Sequence, residues 1–124
     1  TYTGQMGGGV RHGFGRASWV DGDSYDGQWQ DDERHGQGIY KYIVGGSYDG
    51  QWQEGKKHGR GVYKCVEGDS YDGQWQKGKM HGQGVYKWSD GDTEVGQWEN
   101  DKQHGRCVYT KVDGTRYERT YEDN

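Results

Sequence analysis

A chain of 124 residues that is only 27% hydrophobic, with a mean hydropathy of -1.42 and no proline, is one domain's worth of material and lacks the aliphatic side chains of a conventional two-layer core. Six Trp, eleven Tyr and one Phe carry the burial instead, which argues against wholesale disorder and predicts an ordered but thin structure. The net charge of -4 leaves no basic excess for neutralising phosphates, so nucleic acid is excluded as a general partner, and no apolar run reaches membrane-spanning length or forms a signal peptide.

In chain order, the sequence opens at Thr1 without an initiator Met, which suggests a piece of a longer protein with more repeats or another domain upstream. His12-Gly13 then recurs as His35-Gly36, His58-Gly59, His81-Gly82 and His104-Gly105, always 23 residues on. Trp29, Trp52, Trp75 and Trp98 each precede the next His-Gly by six residues, and Tyr25, Tyr48, Tyr71 and Glu94 precede those Trp by four. The unit reads Y-D-G-Q-W-Q-x-x-x-x-H-G-x-G-h-Y-K-x-x-x-G-x-S, with h Ile or Val. A single array over 1–124 divides into a partial repeat 2–24, repeats 25–47, 48–70, 71–93 and 94–116, and a terminal partial repeat 117–124.

Within each unit the period is two. Tyr25, Gly27 and Trp29 share one face while Asp26, Gln28 and Gln30 share the other, and Gly36, Gly38, Tyr40 and Tyr42 oppose Gln37, Ile39 and Lys41. The polar stretch from Asp31 to Arg34 predicts the hairpin turn, and Gly22, Gly45, Gly68, Gly91 and Gly114 mark a second reversal into the next unit. With turns centred near Asp32–Glu33 and Ile43–Gly45, Tyr25 faces Tyr40, Gly27 faces Gly38, Trp29 faces Gly36, and Tyr40 faces Tyr48. The expected result is about ten strands carrying a tyrosine ladder beside a glycine trench. Cys65 and Cys107 are then on the order of 20 Å apart, beyond disulfide reach, and two free thiols fit a reducing, cytosolic compartment.

Tyr48, Gly50, Trp52, Gly55, His58, Gly59 and Gly61 reproduce Y-x-G-x-W-x-x-G-x-x-H-G-x-G, as do Tyr71, Gly73, Trp75, Gly78, His81, Gly82 and Gly84. In this the chain resembles the MORN repeat family (membrane occupation and recognition nexus) over essentially its whole length. Departures fall mainly at the ends: Met6 with Gly7-Gly8-Gly9, Glu94 for Tyr, Cys107 for Gly, and Arg119 and Tyr121 in the last unit. The resemblance implies an all-β fold, an elongated, twisted, single-layer antiparallel meander of hairpins with an aromatic-lined groove. It also implies a non-catalytic, cytoplasmic scaffold of cytoskeletal or membrane-associated assemblies, or the MORN region of a larger enzyme such as a lipid kinase or lysine methyltransferase.

A single-layer sheet has no opposing layer, so its aromatic face is the expected partner surface. A peptide or helix laid in the groove meets Tyr25, Trp29, Tyr40, Tyr48, Trp52, Tyr63, Tyr71, Trp75, Tyr86 and Trp98. The polar reverse face, with Gln28, Gln51, Gln74 and Gln97 and with Lys41, Lys64 and Lys87, reads as solvated. Lys56, Lys57, Arg60 and Lys64 form the basic cluster on which the alternative, an anionic phospholipid or phosphoinositide headgroup, rests. The final strand leaves one edge unpaired, and a homodimer through Cys107, Tyr109, Tyr117 and Tyr121 is the expected remedy, with Glu118, Arg119, Glu122 and Asp123 as charges that blunt the edge instead.

No catalytic residue and no cofactor is expected. Ser24, Ser47 and Ser70 lack a nucleophile elbow, and Asp21 to Asp26 lacks EF-hand spacing. Equivalent histidines lie two strands, roughly 10 Å, apart, while zinc ligands sit about 2 Å from their ion, so the histidines read as structural, at the start of each second strand. An intermolecular zinc at His104 and Cys107 is a weak alternative.

Overall fold

The computed structural model describes residues 1–122, so Asp123 and Asn124, the last two positions of the expected terminal repeat, lie outside the described residues. Eleven strands run in chain order: β1 (Tyr2–Gly7), β2 (Val10–Ser18), β3 (Ser24–Gln30), β4 (Glu33–Lys41), β5 (Ser47–Gln53), β6 (Lys56–Lys64), β7 (Ser70–Gln76), β8 (Lys79–Lys87), β9 (Thr93–Glu99), β10 (Lys102–Thr110) and β11 (Arg116–Tyr121). They form one open sheet in which each strand pairs antiparallel with its chain neighbours, the all-β meander that the period-two pattern predicts. No helix long and apolar enough to cross a membrane occurs among the described residues.

Two kinds of reversal alternate. Within a repeat, two residues suffice, both with positive φ: Asp31 (50°) and Asp32 (71°), then Glu54 (51°) and Gly55 (78°), then Lys77 (51°) and Gly78 (83°). This is the mirror-image turn whose twist matches that of the flanking strands. The expected turn from Asp31 to Arg34 is therefore too long, since Glu33 pairs with Gln30 and Arg34 with Trp29 inside the ladder. Between repeats the chain makes a wider loop, in which Trp19 N–H donates to Asp23 O (3.0 Å) and Gly22 N–H donates to Trp19 O (2.9 Å).

Tyr25 opposite Tyr40, Gly27 opposite Gly38 and Tyr40 opposite Tyr48 are as the spacing predicts, but Trp29 does not face Gly36. Two extra residues in β4 make a bulge at His35-Gly36-Gln37, which puts Arg34 rather than Gly36 opposite Trp29, while on the other side of β4 Gly36 faces Trp52 of the following repeat in the unbroken register of Tyr40 with Tyr48. Gly36 has φ +74° there, and Gln28 holds the bulge by accepting from Gln37 N–H at 2.7 Å. Gln5, Gln51 and Gln74 do the same for Phe14, Arg60 and Gln83. These glutamines of the reverse face thus brace the His-Gly bulges as well as meeting solvent.

The glycine trench is filled from within. Tyr25 lies across Gly27 and Gly38, where a Cβ on either would collide with its hydroxyl, and it donates to Gln28 O at 2.8 Å. Tyr48 and Tyr71 repeat the contact with Gln51 O and Gln74 O. Each tryptophan then ties neighbouring repeats, Trp52 Nε1 donating to Gly38 O and Trp75 Nε1 to Gly61 O, both at 3.1 Å. Edge-to-face contacts link the rings into a continuous core, with Tyr48 5.0 Å from Trp52 and 5.3 Å from Trp75.

Gly61 has ordinary backbone angles, so a side chain there fails only because Tyr48 occupies the space. Gly61→Ala is expected to destabilise the array by about 1–3 kcal/mol or more, as overpacking does, whereas Lys64→Ala on the opposite face stays within about 0.5 kcal/mol; denaturant midpoints read both.

Burial opposes phenol ionisation throughout this core: it raises Tyr25 and Tyr48 strongly and brings Tyr71 to about 12. Tyr40 and Tyr86 also reach about 12, through burial first and then hydrogen bonds to Asp23 and Asp69. Because folded values exceed the unfolded value of about 10, this stability is fully present below pH of about 10 and is lost as pH climbs through the folded values. A tyrosinate absorbance titration should show the core tyrosines ionising late, together with loss of β-sheet dichroism; titration at ordinary pH with the sheet intact contradicts the packing.

Candidate interaction face

The aromatic face carries two layers of side chains, and the ten residues expected to line a groove divide between them. Tyr25, Trp29, Tyr48, Trp52, Tyr71, Trp75 and Trp98 are 0–7% exposed and constitute the core. Tyr40, Tyr63 and Tyr86 are partly buried against it and present surface. The face offered to solvent is completed by Trp19 and Trp88, which sequence reasoning missed, by Tyr42, which it placed on this face without assigning it to the groove, and by Tyr109, which it assigned to a dimer contact. The rings meet in sequence: Trp19 stacks on Tyr40 (5.5 Å), Tyr40 tilts against Tyr42 (4.8 Å) and Tyr42 against Tyr63 (6.0 Å), then Tyr86 tilts against Trp88 (4.8 Å) and Trp88 against Tyr109 (5.2 Å), and Tyr109 stacks on Tyr117 (5.3 Å).

This outer row is fixed by the inter-repeat loops. Asp23 accepts from Tyr40 Oη (2.8 Å) and Ile43 N–H (2.8 Å), Asp69 from Tyr86 and Ser89, and Asp92 from Tyr109 and Val112, so each loop carboxylate grips the next repeat. The Tyr109 hydroxyl holds the Asp92 carboxyl below the usual carboxylate range.

A row of three cations runs along the same face at the position just before the first three histidines, a phase that would have revealed it in the sequence. Arg11 lies 4.4 Å above Trp29 and pairs with Asp32, Arg34 lies 4.6 Å above Trp52 and donates to Gly55 O, and Lys57 lies 5.4 Å from Trp75 and 5.0 Å from Tyr63. Burial pulls Lys57 below the usual lysine range. Met80 and Gln103 occupy the next two places.

The basic cluster of the lipid alternative is not gathered in one place. Lys57 pairs with Trp52 on the aromatic face, whereas Arg60 and Lys64 lie beyond the bulge on the reverse face, Arg60 being 3.7 Å from Asp72. Lys56, like Glu54, is exposed at the turn.

The last full repeat changes in concert. Glu94 takes the core tyrosine's place, fully buried, and Cys107 replaces the facing glycine, its Sγ occupying space over Gly96 that a tyrosine ring fills elsewhere. Glu94 accepts from Tyr121 Oη (2.9 Å) and Gln103 Nε2 (3.3 Å), while Arg119 lies 4.3 Å above Tyr109. Of the four residues expected at a dimer contact, Cys107 is therefore buried inside its own sheet, Tyr121 binds Glu94 and Tyr109 binds Asp92; Tyr117 is exposed on β11, the open edge. His104 Nδ1 is 3.4 Å from Glu99, and no group of three or more His, Cys, Asp or Glu able to hold a metal comes together among the described residues.

Glu94→Leu removes the acceptor of Tyr121 and should free β11, seen as faster amide exchange in 116–121 with β1–β8 unchanged. Unchanged exchange would mean that Glu94 does not hold the terminal strand.

A family model of the MORN repeat matches residues 2–24, 25–47, 48–70, 71–93 and 95–116. No curated protein matches the chain.

Proposed function

The chain belongs to the MORN repeat family, and from that premise we propose that it is a non-catalytic interaction module that receives a protein segment, peptide or helix, along its aromatic face. The observation that carries this reading is the outer row itself. A single sheet has packed its core from tyrosines, tryptophans and glycines and still presents a second row of half-buried rings, rigidly held by loop carboxylates and flanked by Arg11, Arg34 and Lys57. Rigid aromatic side chains lose little conformational entropy on contact, and Trp, Tyr and Arg are the residues that carry most interface energy. On this reading the groove is the outer row from Trp19 to Tyr117, and the seven core rings support it from beneath. The scaffold role in a cytoskeletal or membrane-associated assembly, and self-association along the free edge of β11 at Tyr117, belong to the same proposal.

Peptides selected from a displayed random library against the chain test it. Binding should fall at least tenfold, about 1.4 kcal/mol, in Tyr42→Ser/Trp88→Ser and persist in Arg60→Glu/Lys64→Glu on the reverse face. The opposite pattern, or salt-dependent sedimentation with phosphoinositide vesicles lost only in the reverse-face variant, would favour the headgroup alternative and overturn the protein-partner reading.

A further inference from the structure

The outer row is interrupted once. Positions 19, 42 and 88 hold Trp, Tyr and Trp, but the equivalent position 65 holds Cys, and the run of ring contacts stops at Tyr63 to resume at Tyr86. Two further positions around the same spot lose their usual side chain. Gly46 stands where Asp23, Asp69 and Asp92 grip the following tyrosine, so the Tyr63 hydroxyl has no acceptor among the described residues. Met80 stands where Arg11 and Arg34 stand, so Asp101 accepts only Met80 N–H (2.8 Å), while its counterpart Asp32 accepts both Arg11 N–H and the Arg11 guanidinium.

Together these changes open a notch of about 280 Å³ lined by Lys57, Tyr63, Cys65, Trp75, Tyr86 and Asp101, among others. Pockets for whole small-molecule ligands run from roughly 300 to 1,000 Å³, so this one suits a single large side chain. Its charges oppose each other, Lys57 and Asp101 both facing the space, so a charged occupant gains from one what it loses to the other. An uncharged ring gains from both: its face meets the Lys57 ammonium, and a ring N–H meets the carboxylate that Met80 leaves without a side-chain donor.

We infer that the notch at Cys65 is a specificity pocket for a tryptophan side chain of the partner, which completes the ring row between Tyr63 and Tyr86 and donates its indole N–H to Asp101. This rests on the aromatic face being the partner surface and adds which residue of the partner is anchored and where. A single buried tryptophan seated among rings is the kind of anchor that carries most of an interface's affinity.

The test uses the intact chain and N-acetyl-tryptophanamide as probe, with N-acetyl-leucinamide as control, followed by amide and side-chain NMR shifts. The tryptophan probe should bind in the range of about a millimolar and shift resonances of Tyr63, Cys65, Gly78 and Tyr86, with the leucine probe at least tenfold weaker. Cys65→Trp supplies from within the ring that Trp19 and Trp88 provide elsewhere; it should abolish probe binding and raise the melting temperature. Met80→Arg restores the cation to Asp101 and should weaken binding about tenfold, with the dichroism spectrum unchanged. Shifts confined to Trp19, Tyr42 or Trp88, equal binding of the two probes, or full binding by a folded Cys65→Trp would each overturn the pocket while leaving the aromatic face as a partner surface. No shift anywhere on that face also overturns the pocket, and the displayed-peptide result then decides the surface independently. Self-association with shifts at the notch that vanish in Trp19→Ser would show a second copy's Trp19 as the occupant and overturn the assignment to a partner.

Discussion

Everything in this fold depends on a phenol ring lying flat across two facing glycines. Tyr25 over Gly27 and Gly38, with its hydroxyl bonded to Gln28 O, packs a side chain into the sheet's own surface rather than against a second layer. That contact lets a chain with so little aliphatic material bury a core at all. It also explains why glycines, which ordinarily weaken strands, recur here in opposed pairs: each pair is the seat of one ring, and the strand's loss is offset by the burial of an aromatic. Tryptophan then converts separate hairpins into an array, because its N–H bonds a glycine carbonyl in the preceding repeat. Stability accumulates between neighbours along one dimension, as in other repeat proteins.

Most of this was legible from spacing. The period of two within the unit and 23 between units fixes the meander and its strand order, and the opposition of Tyr25 with Tyr40 and Gly27 with Gly38 follows from counting. Counting fails at the bulge, where two extra residues in β4 put Arg34 instead of Gly36 opposite Trp29. A hairpin drawn with a four-residue turn and no bulge has the same register at its open end, so alternation alone cannot separate the two. The separating signal is chemical: Asp31 and Asp32 both tolerate positive φ, and a His-Gly pair in every copy marks a backbone conformation that only glycine adopts cheaply.

The site was less legible than the fold, for a related reason. Composition and alternation treat the aromatic residues as one population, whereas the sheet sorts them by position. Those opposite or beside the glycine seats sink into the core, and those near the inter-repeat loops stay at the surface, so Tyr25 and Tyr40, adjacent across the ladder, have different fates. Arg11, Arg34 and Lys57 look like ordinary turn-proximal charges until their parity is followed: a bulge of two extra residues leaves the alternation unchanged, so Lys57 shares the face of Gly59, Gly61 and Tyr63 and lies opposite Arg60 and Lys64. The basic cluster read from sequence was a cluster in number only.

Irregular positions in a regular array carry separable meanings, depending on whether neighbours compensate. At the C-terminal end the changes are matched: Glu94 vacates ring space that Cys107 partly fills, and its buried carboxylate is satisfied by Tyr121 and Gln103. Such a set is satisfied by its own neighbours, and no buried side-chain polar atom among the described residues is left without a partner. Between the third and fourth repeats the changes are unmatched. Gly46, Cys65 and Met80 each remove a contact that other repeats of the array make, so that among the described residues Tyr63 lacks an acceptor and Asp101 a side-chain donor at the margin of the same space. A stability argument accounts for the first set and gives no reason for the second, because restoring Asp, an aromatic ring and Arg would recover contacts that the array already knows how to make. Unfilled capacity concentrated at one place on an otherwise self-satisfied face is what a surface shaped for another molecule's side chain looks like.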